Sequence, residues 1–210
     1  MATATHRPTV GPADHGRRMT LEEFIDADFA GGWLYELARG VVDVTEVPGT
    51  SHGRTVRRVT RLFVYYDDAH PGVIKYAAGG GECRLRLPGM QSDRHPDQAI
   101  YLTPEPGGKR VWTRWVPGLV VEVVSKGGED RDFVEKREEY LRAGVAEYWI
   151  LDRSARRMHV LSRAGDVWEE AILNEDGVHR THLLPGLEAR VGELLGPPDD
   201  VDDDQADDED

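Results

Sequence analysis

The sequence predicts an α/β (α+β) protein, and three observations carry that prediction. Between Pro117 and Asp152, an apolar run (LVVEVV), a polar loop, an amphipathic segment ending at Gly144 and a second apolar run (EYWILD) read as strand, loop, helix, strand. Upstream, WLYEL (33–37) and VVDVTEV (41–47) are β-rich runs separated by Ala38-Arg39-Gly40, a hairpin pattern. From Ser51 to Asp68 the period changes: Val56, Val59, Leu62, Phe63 and Tyr66 gather on one side at about 100° per residue, which predicts a helix.

The remaining elements follow in order. Residues 1–18, rich in Pro, Gly and Ala with scattered charges, read as a disordered start. Thr20 and Glu23 have capping-box spacing, and Leu21, Phe24 and Ile25 form the apolar face of a short helix that stops before Gly31-Gly32. After the break at His70-Pro71-Gly72, the segment VIKYAAGGGECRLRLP alternates Cys83, Leu85 and Leu87 with Glu82, Arg84 and Arg86, a half-exposed strand. HPDQAIYL puts Asp97 at the mouth of the apolar run Ala99 to Leu102. Residues 103–116 read as loop. In the helix after Gly127-Gly128, Asp130 or Asp132 is the expected cap, Phe133, Val134, Tyr140 and Leu141 the apolar side, and Gly144 the C′ residue. Arg137 falls within that apolar side with no simple explanation. A second hairpin turns at Arg163-Ala164-Gly165, and LLPGLEARVGELL closes a single domain spanning 19–196.

Charge divides the chain unevenly. The formal net charge is −13, but nine acids lie in the last twelve residues, and setting them aside leaves 30 acidic residues against 26 Lys and Arg. The acidic segment 197–210 is too charged to pack and reads as a disordered tail. A body near −4 does not exclude a nucleic-acid partner, because a local basic surface matters more than the sum. Arg54, Arg57, Arg58 and Arg61 form such a stripe on the polar side of the 51–68 helix, suited either to solvent or to phosphates. The single cysteine, Cys83, allows no internal disulfide, and no apolar run has the length of a signal peptide or membrane span, so a cytoplasmic location without membrane contact is expected.

Three carboxylates lie at the start or inside of apolar strands: Glu36, Asp97 and Glu122. Burying an unpaired carboxylate is costly, so each needs a cation, a hydrogen-bond network or a metal. Oxygen ligands from neighbouring strands suit a hard divalent cation such as Mg²⁺, and a nearby lysine would complete a hydrolytic site.

The segments MTLEEF (19–24), WLYELARGVV (33–42), SHGRTVRRVTRLF (51–63), HPDQAIYL (95–102), PGLVVEVVS (117–125), AGVAEYWILD (143–152) and LLPGLEARVGELL (183–195), with the Asp132, Lys136, Tyr140 spacing, together resemble the Uma2 branch of the PD-(D/E)XK nuclease superfamily. The resemblance implies a restriction-endonuclease-like core, a mixed central sheet flanked by helices with a metal site for Mg²⁺ or Mn²⁺ at the strand ends. It carries Asp97 over as the metal-binding aspartate, Glu122 as the second acid and Glu36 as a third acid of the site, and His52 fits the start of the family's helix. The usual lysine position falls on Val124. Lys126 has the right strand parity but lies about 13 Å along the strand from Glu122. Lys136 matches the Uma2-like helix position and can point back toward the strand, so it is the preferred lysine.

These residues support a metal-dependent endonuclease acting on DNA. Two alternatives stand beside it: a nuclease-like fold that binds nucleic acid or protein without cutting, favoured by the displaced lysine and the KGGED loop, and a purely structural Glu122–Lys136 ion pair. With no extra recognition domain visible, specificity would come from a homodimer or another partner.

Overall fold

Leu119–Val123 is buried at every position, as a strand covered on both faces must be. The structure, a computed structural model, describes residues 7–198. In chain order its elements are β1 (Thr9–Val10), α1 (Leu21–Ile25), β2 (Asp28–Phe29), β3 (Trp33–Ala38), β4 (Val41–Glu46), α2 (Thr50–Ala69), β5 (Tyr76–Ala78), β6 (Leu85–Leu87), β7 (Ser92–Arg94), β8 (Gln98–Tyr101) and β9 (Leu119–Val123). After a π-helical turn at Arg131–Glu135 come α3 (Lys136–Ala143), β10 (Glu147–Asp152), β11 (Arg157–Ala164), β12 (Val167–Asn174), β13 (Val178–His179), β14 (Ala189–Arg190) and α4 (Val191–Leu195).

The larger sheet has the order β12-β11-β10-β9-β8-β5. It is mixed: β9 and β10 are parallel, joined across α3, and the other pairs are antiparallel. Val121 and Val123 face α2 and α4, packing with Val59, Phe63, Trp149 and Leu194. Val120 and Val124 point to the opposite face, where α3 and β6 supply Tyr140, Leu85 and Leu87. Glu122 shares the parity of Val120 and Val124, so the pleat aims it toward α3. A second, antiparallel sheet, β4-β3-β7-β6, carries Glu36 and Arg94.

The expected hairpins form with the expected turns, and the first helix has its full capping box at Thr20 and Glu23. Gly144 ends α3 in the left-handed region at φ 94°, where a side chain would be strained. Four expectations change. Residues 7–18 are not a featureless start: β1 pairs with β2, and Val10 is buried with Phe24 and Leu37, because two strand residues and one apolar side chain suffice to anchor the segment. The tail from 199 onward lies outside the described residues. The segment around Cys83 is not one strand: β5 belongs to the larger sheet and β6 to the smaller, with a 3-10 turn at Gly80–Glu82 between them. Lys126 is not on a strand, since β9 ends at Val123 and Gly127-Gly128 turn away.

The largest change concerns the face that the π turn and α3 bury. Val134 is 61% exposed, while the buried side chains are Asp132, Lys136, Glu139 and Tyr140, a helical 4-3-1 spacing of mostly charged residues. Polar residues take this face because the strands opposite present counter-charges, so ion pairing overrides the apolar pattern. Arg137 lies to the side, where it bonds Glu170 at 2.8 Å and its carbonyl accepts from Trp168 Nε1. No helix among the described residues is long and apolar enough to cross a membrane.

Candidate functional site

Four of the residues singled out from sequence converge on one cavity of about 660 Å³: Glu36 from β3, Asp97 just before β8, Glu122 from β9 and Lys136 from α3. The β8–β9 register pairs Gln98 with Val121, which brings Asp97 opposite Glu122 one step further on. Gly79 permits this: a Cβ there would fall 1.9 Å from the Asp97 carbonyl oxygen, so only glycine lets β5's exit lie against the start of β8.

Lys136 Nζ lies 3.0 Å from Glu122 Oε2, 3.4 Å from Asp132 Oδ1 and 3.9 Å from Glu36 Oε1. The other Glu122 oxygen accepts from Tyr140 Oη at 2.5 Å, one helical turn beyond Lys136. Asp97 is held twice, Oδ2 by the Val123 N–H at 2.7 Å and Oδ1 by His52 Nε2 at 3.1 Å. His52 comes from the first turn of α2, where the Thr50–Ala69 helix meets the strand ends. The π turn before α3 places Asp132 on the same wall, its carbonyl accepting from Tyr148 Oη at 3.0 Å, and such wide turns recur at functional sites.

Environment separates the two principal acids. Burial pushes Glu122 up to about 8 despite Lys136, with Asp97, Asp132 and Glu36 adding repulsion. Burial acts the same way on Asp97, but the His52 hydrogen bond, the His52 and Lys136 charges and the Val123 N–H outweigh it and hold the carboxyl below its ordinary value. Asp132 is raised by burial, with Lys136 and Arg131 opposing. Burial would draw a proton off Lys136, yet Glu122, Glu36 and Asp132 together hold its pKa above the usual lysine value. Paired carboxyls driven in opposite directions are a mark of acid–base or metal sites.

Lys126, the alternative lysine, is exposed at the cavity edge. The arginine stripe divides: Arg57 and Arg61 are exposed, whereas Arg54 and Arg58 are half-buried, Arg58 donating to the Leu195 carbonyl at 3.3 Å, and none of the four lines the cavity. Sequence reasoning missed Arg94, which is fully buried and bonded to Glu139 at 2.6 Å, Glu135 at 2.9 Å and Glu36 at 3.2 Å. The available signal was the 4-3-1 spacing of charged residues in the 132–140 segment, which demands a cation opposite Glu139.

Asp97 and Glu122 suit a hard divalent cation by donor type, being two carboxylates on adjacent strands. Among the described residues no group of three or more His, Cys, Asp or Glu side chains is arranged to hold a metal. A Mg²⁺-type ion commonly takes only one or two carboxylates and completes its shell with water and substrate oxygens, so the pair fits.

A mixed sheet with helices on both faces and acids gathered at the ends of adjacent strands is the restriction-endonuclease-like arrangement. The chain belongs to the Uma2 family, described as "Putative restriction endonuclease", which it matches over residues 21–192. A solved structure with the same fold is a "putative nuclease belonging to DUF820" from Anabaena variabilis: the TM-score is 0.66 at 15% identity, over 84% of this chain and 97% of that one. A comparison with curated proteins finds no match.

Proposed function

We propose that this protein is a Mg²⁺- or Mn²⁺-dependent endonuclease that hydrolyses DNA phosphodiester bonds. The observation that carries the reading is the approach of Lys136 to Glu122 from the helix at 3.0 Å, with Asp97 opposite Glu122 on the next strand. It supplies from α3 the lysine that the strand itself lacks at Val124.

Asp97 and Glu122 would hold the metal, whose chemistry is to polarise a phosphoryl oxygen and acidify water. The Val123 N–H and His52 fix the Asp97 carboxylate in one orientation, as outer-shell partners of ligating groups do. Tyr140 fixes Glu122 from the opposite oxygen. Lys136, held charged by its three carboxylates, orients the attacking water and offsets negative charge growing on the phosphorus oxygens. Glu36 assists by keeping the ammonium group in place, since it also accepts from the His95 N–H at 2.7 Å.

A cleavage assay on plasmid DNA with Mg²⁺, Mn²⁺ or EDTA tests this. Wild type should nick or linearise DNA only with metal, and Asp97→Asn, which keeps an acceptor for the Val123 N–H, should abolish cleavage with little change in the melting temperature. Equal, metal-independent activity in both proteins would remove the assignment. The non-cutting alternative draws on one observation, that Lys136 is already matched by acids. It predicts that titrating Mg²⁺ or Mn²⁺ produces no binding heat.

A further inference from the structure

We propose that the strand cleaved here enters the site unpaired, with a nucleobase laid against an apolar shelf beside the carboxylates; this rests on the nuclease reading above. The shelf is Leu34, Val47 and Pro48, with Trp33 at its rim. Strand alternation puts Leu34 on the same face of β3 as Glu36, about 7 Å further along. Leu34 is 45% and Val47 61% exposed, although both border the cavity that holds the acids. The same three residues also line a second cavity of about 530 Å³ that runs beside α2 to the exposed Val64, so the shelf joins the two spaces. Apolar surface left open at the mouth of a polar site marks a ligand-binding face.

Charge complementarity selects the ligand. Arg84, which pairs with Asp93, Arg131, which pairs with Asp43 and Asp132, and Lys126 line the first cavity together with the shelf, while its acids are the metal-holding group, so one ligand meets cations and apolar surface at once. A nucleotide has both halves, a phosphate and a flat apolar ring. Proteins that take single strands combine a basic groove with aromatic side chains on which bases stack, and the exposed Trp33 at the rim offers such a ring beside the aliphatic shelf. Depth argues the same way. Glu122 is 2% and Lys136 4% exposed, so a reacting phosphate must descend below the protein surface, and the cavity volume falls in the range that encloses a small ligand, about 300–1,000 Å³. A backbone whose bases remain stacked in a duplex is held away from such a floor, whereas an unpaired nucleotide can turn into it.

The test uses the full chain and fluorescence anisotropy in EDTA, so that binding is read without cleavage. Three probes are compared: a labelled oligothymidylate, an abasic strand of equal length and the matching duplex. Oligothymidylate should bind more tightly than the duplex, and loss of the bases should weaken binding about tenfold, the scale of one or two lost base contacts. Leu34→Ala/Val47→Ala should lose the same factor on oligothymidylate and no longer distinguish the abasic strand, with an unchanged melting temperature confirming the fold. Duplex binding as tight as single-strand binding, no effect of removing bases, an unaffected double variant, or no binding of any probe would each overturn the shelf. Metal-dependent cleavage of DNA, assayed separately, keeps the two ideas apart. If duplex is cut and the shelf variants cut it equally well, the shelf fails while the nuclease stands. If single strands bind through the shelf and nothing is cut, the reverse holds.

Discussion

Two buried cations sit a short distance apart in this protein, each ringed by carboxylates, and Glu36 touches both. Arg94 is enclosed: its guanidinium bonds Glu139, Glu135 and Glu36, and Glu139 is closed on its other side by Ser92 Oγ at 3.0 Å. Lys136 is equally surrounded, but Glu122, Asp132 and Glu36 form the wall of an open cavity, and Asp97 stands there as a further acid. The difference teaches that a buried charge is not by itself a site. The Arg94 cluster joins the smaller sheet to α3: Arg94 and Glu139 are closed off inside the protein, and Glu135 reaches the surface. Both clusters hold more acid than cation, but the acids around Lys136, with Asp97 beside them, face a space that a ligand can enter. Planar, permanently charged arginine serves the closed cluster, and the compact lysine ammonium serves the open one.

The contrast breaks most visibly at Arg94. Arg94→Met should strip buried Glu139 of its closest cation, leaving Arg39 Nε at 3.7 Å and the Ser92 hydroxyl, and cost about 3 kcal/mol of stability, read as a lowered urea midpoint. A variant as stable as wild type would mean the cluster does not hold the two layers together. Lys136→Met should give the opposite profile. With the ammonium gone, burial and the neighbouring acids that already push Glu122 up to about 8 let it take up a proton instead of staying as an unpaired charge, so the melting temperature changes little. Cleavage should nevertheless fall by about 10²–10³-fold, the usual effect of removing one group that stabilises a transition-state charge. Lost stability with retained activity would exchange the roles of the two cations.

Glu36 links the clusters and gives a prediction in pH. Burial alone would raise its carboxyl, but Lys136, Arg94 and the His95 N–H outweigh that and bring it down to about 2. A carboxyl lowered in the folded state contributes stability that is present above its unfolded value of 4.5 and lost as pH falls toward 2. That contribution is on the order of 3 kcal/mol, so acid unfolding followed by circular dichroism should be less steep across this window in Glu36→Gln. A matching acid limb in the variant would show that Glu36 is not the bridge. The smallest effect is expected outside both clusters. Arg57 and Arg61 are exposed on α2 and line neither cavity, so changing both to Gln should reduce the slope of log affinity for DNA against log salt by about 1–2, with little effect on the rate of cleavage at saturating substrate.

How much of this was readable beforehand follows from which forces are local. The 3.6-residue period of α2, the hairpin at Arg39-Gly40, the capping box at Thr20 and the glycine stop at Gly144 depend on neighbouring residues and appear in the sequence as they do in the structure. The α/β class, the central buried strand carrying Glu122 and the requirement that this carboxylate find a cation are likewise properties of residue type and order. What the sequence left open was which residues answer that requirement. The apolar stripe on the 131–143 segment pointed to Phe133, Val134, Tyr140 and Leu141; Tyr140 is buried and Phe133 packs against the core as expected, but Val134 is exposed and the fold buries Asp132, Lys136 and Glu139 beside Tyr140. No rule of local periodicity orders a charged face inward. It becomes the inward face only when Arg94 from β7 and Glu122 from β9, distant in sequence, lie opposite it. Desolvated charges take their partners from across the structure, so Lys136 could be preferred over Lys126 from the sequence, but only the packed sheets and helix placed it against Glu122.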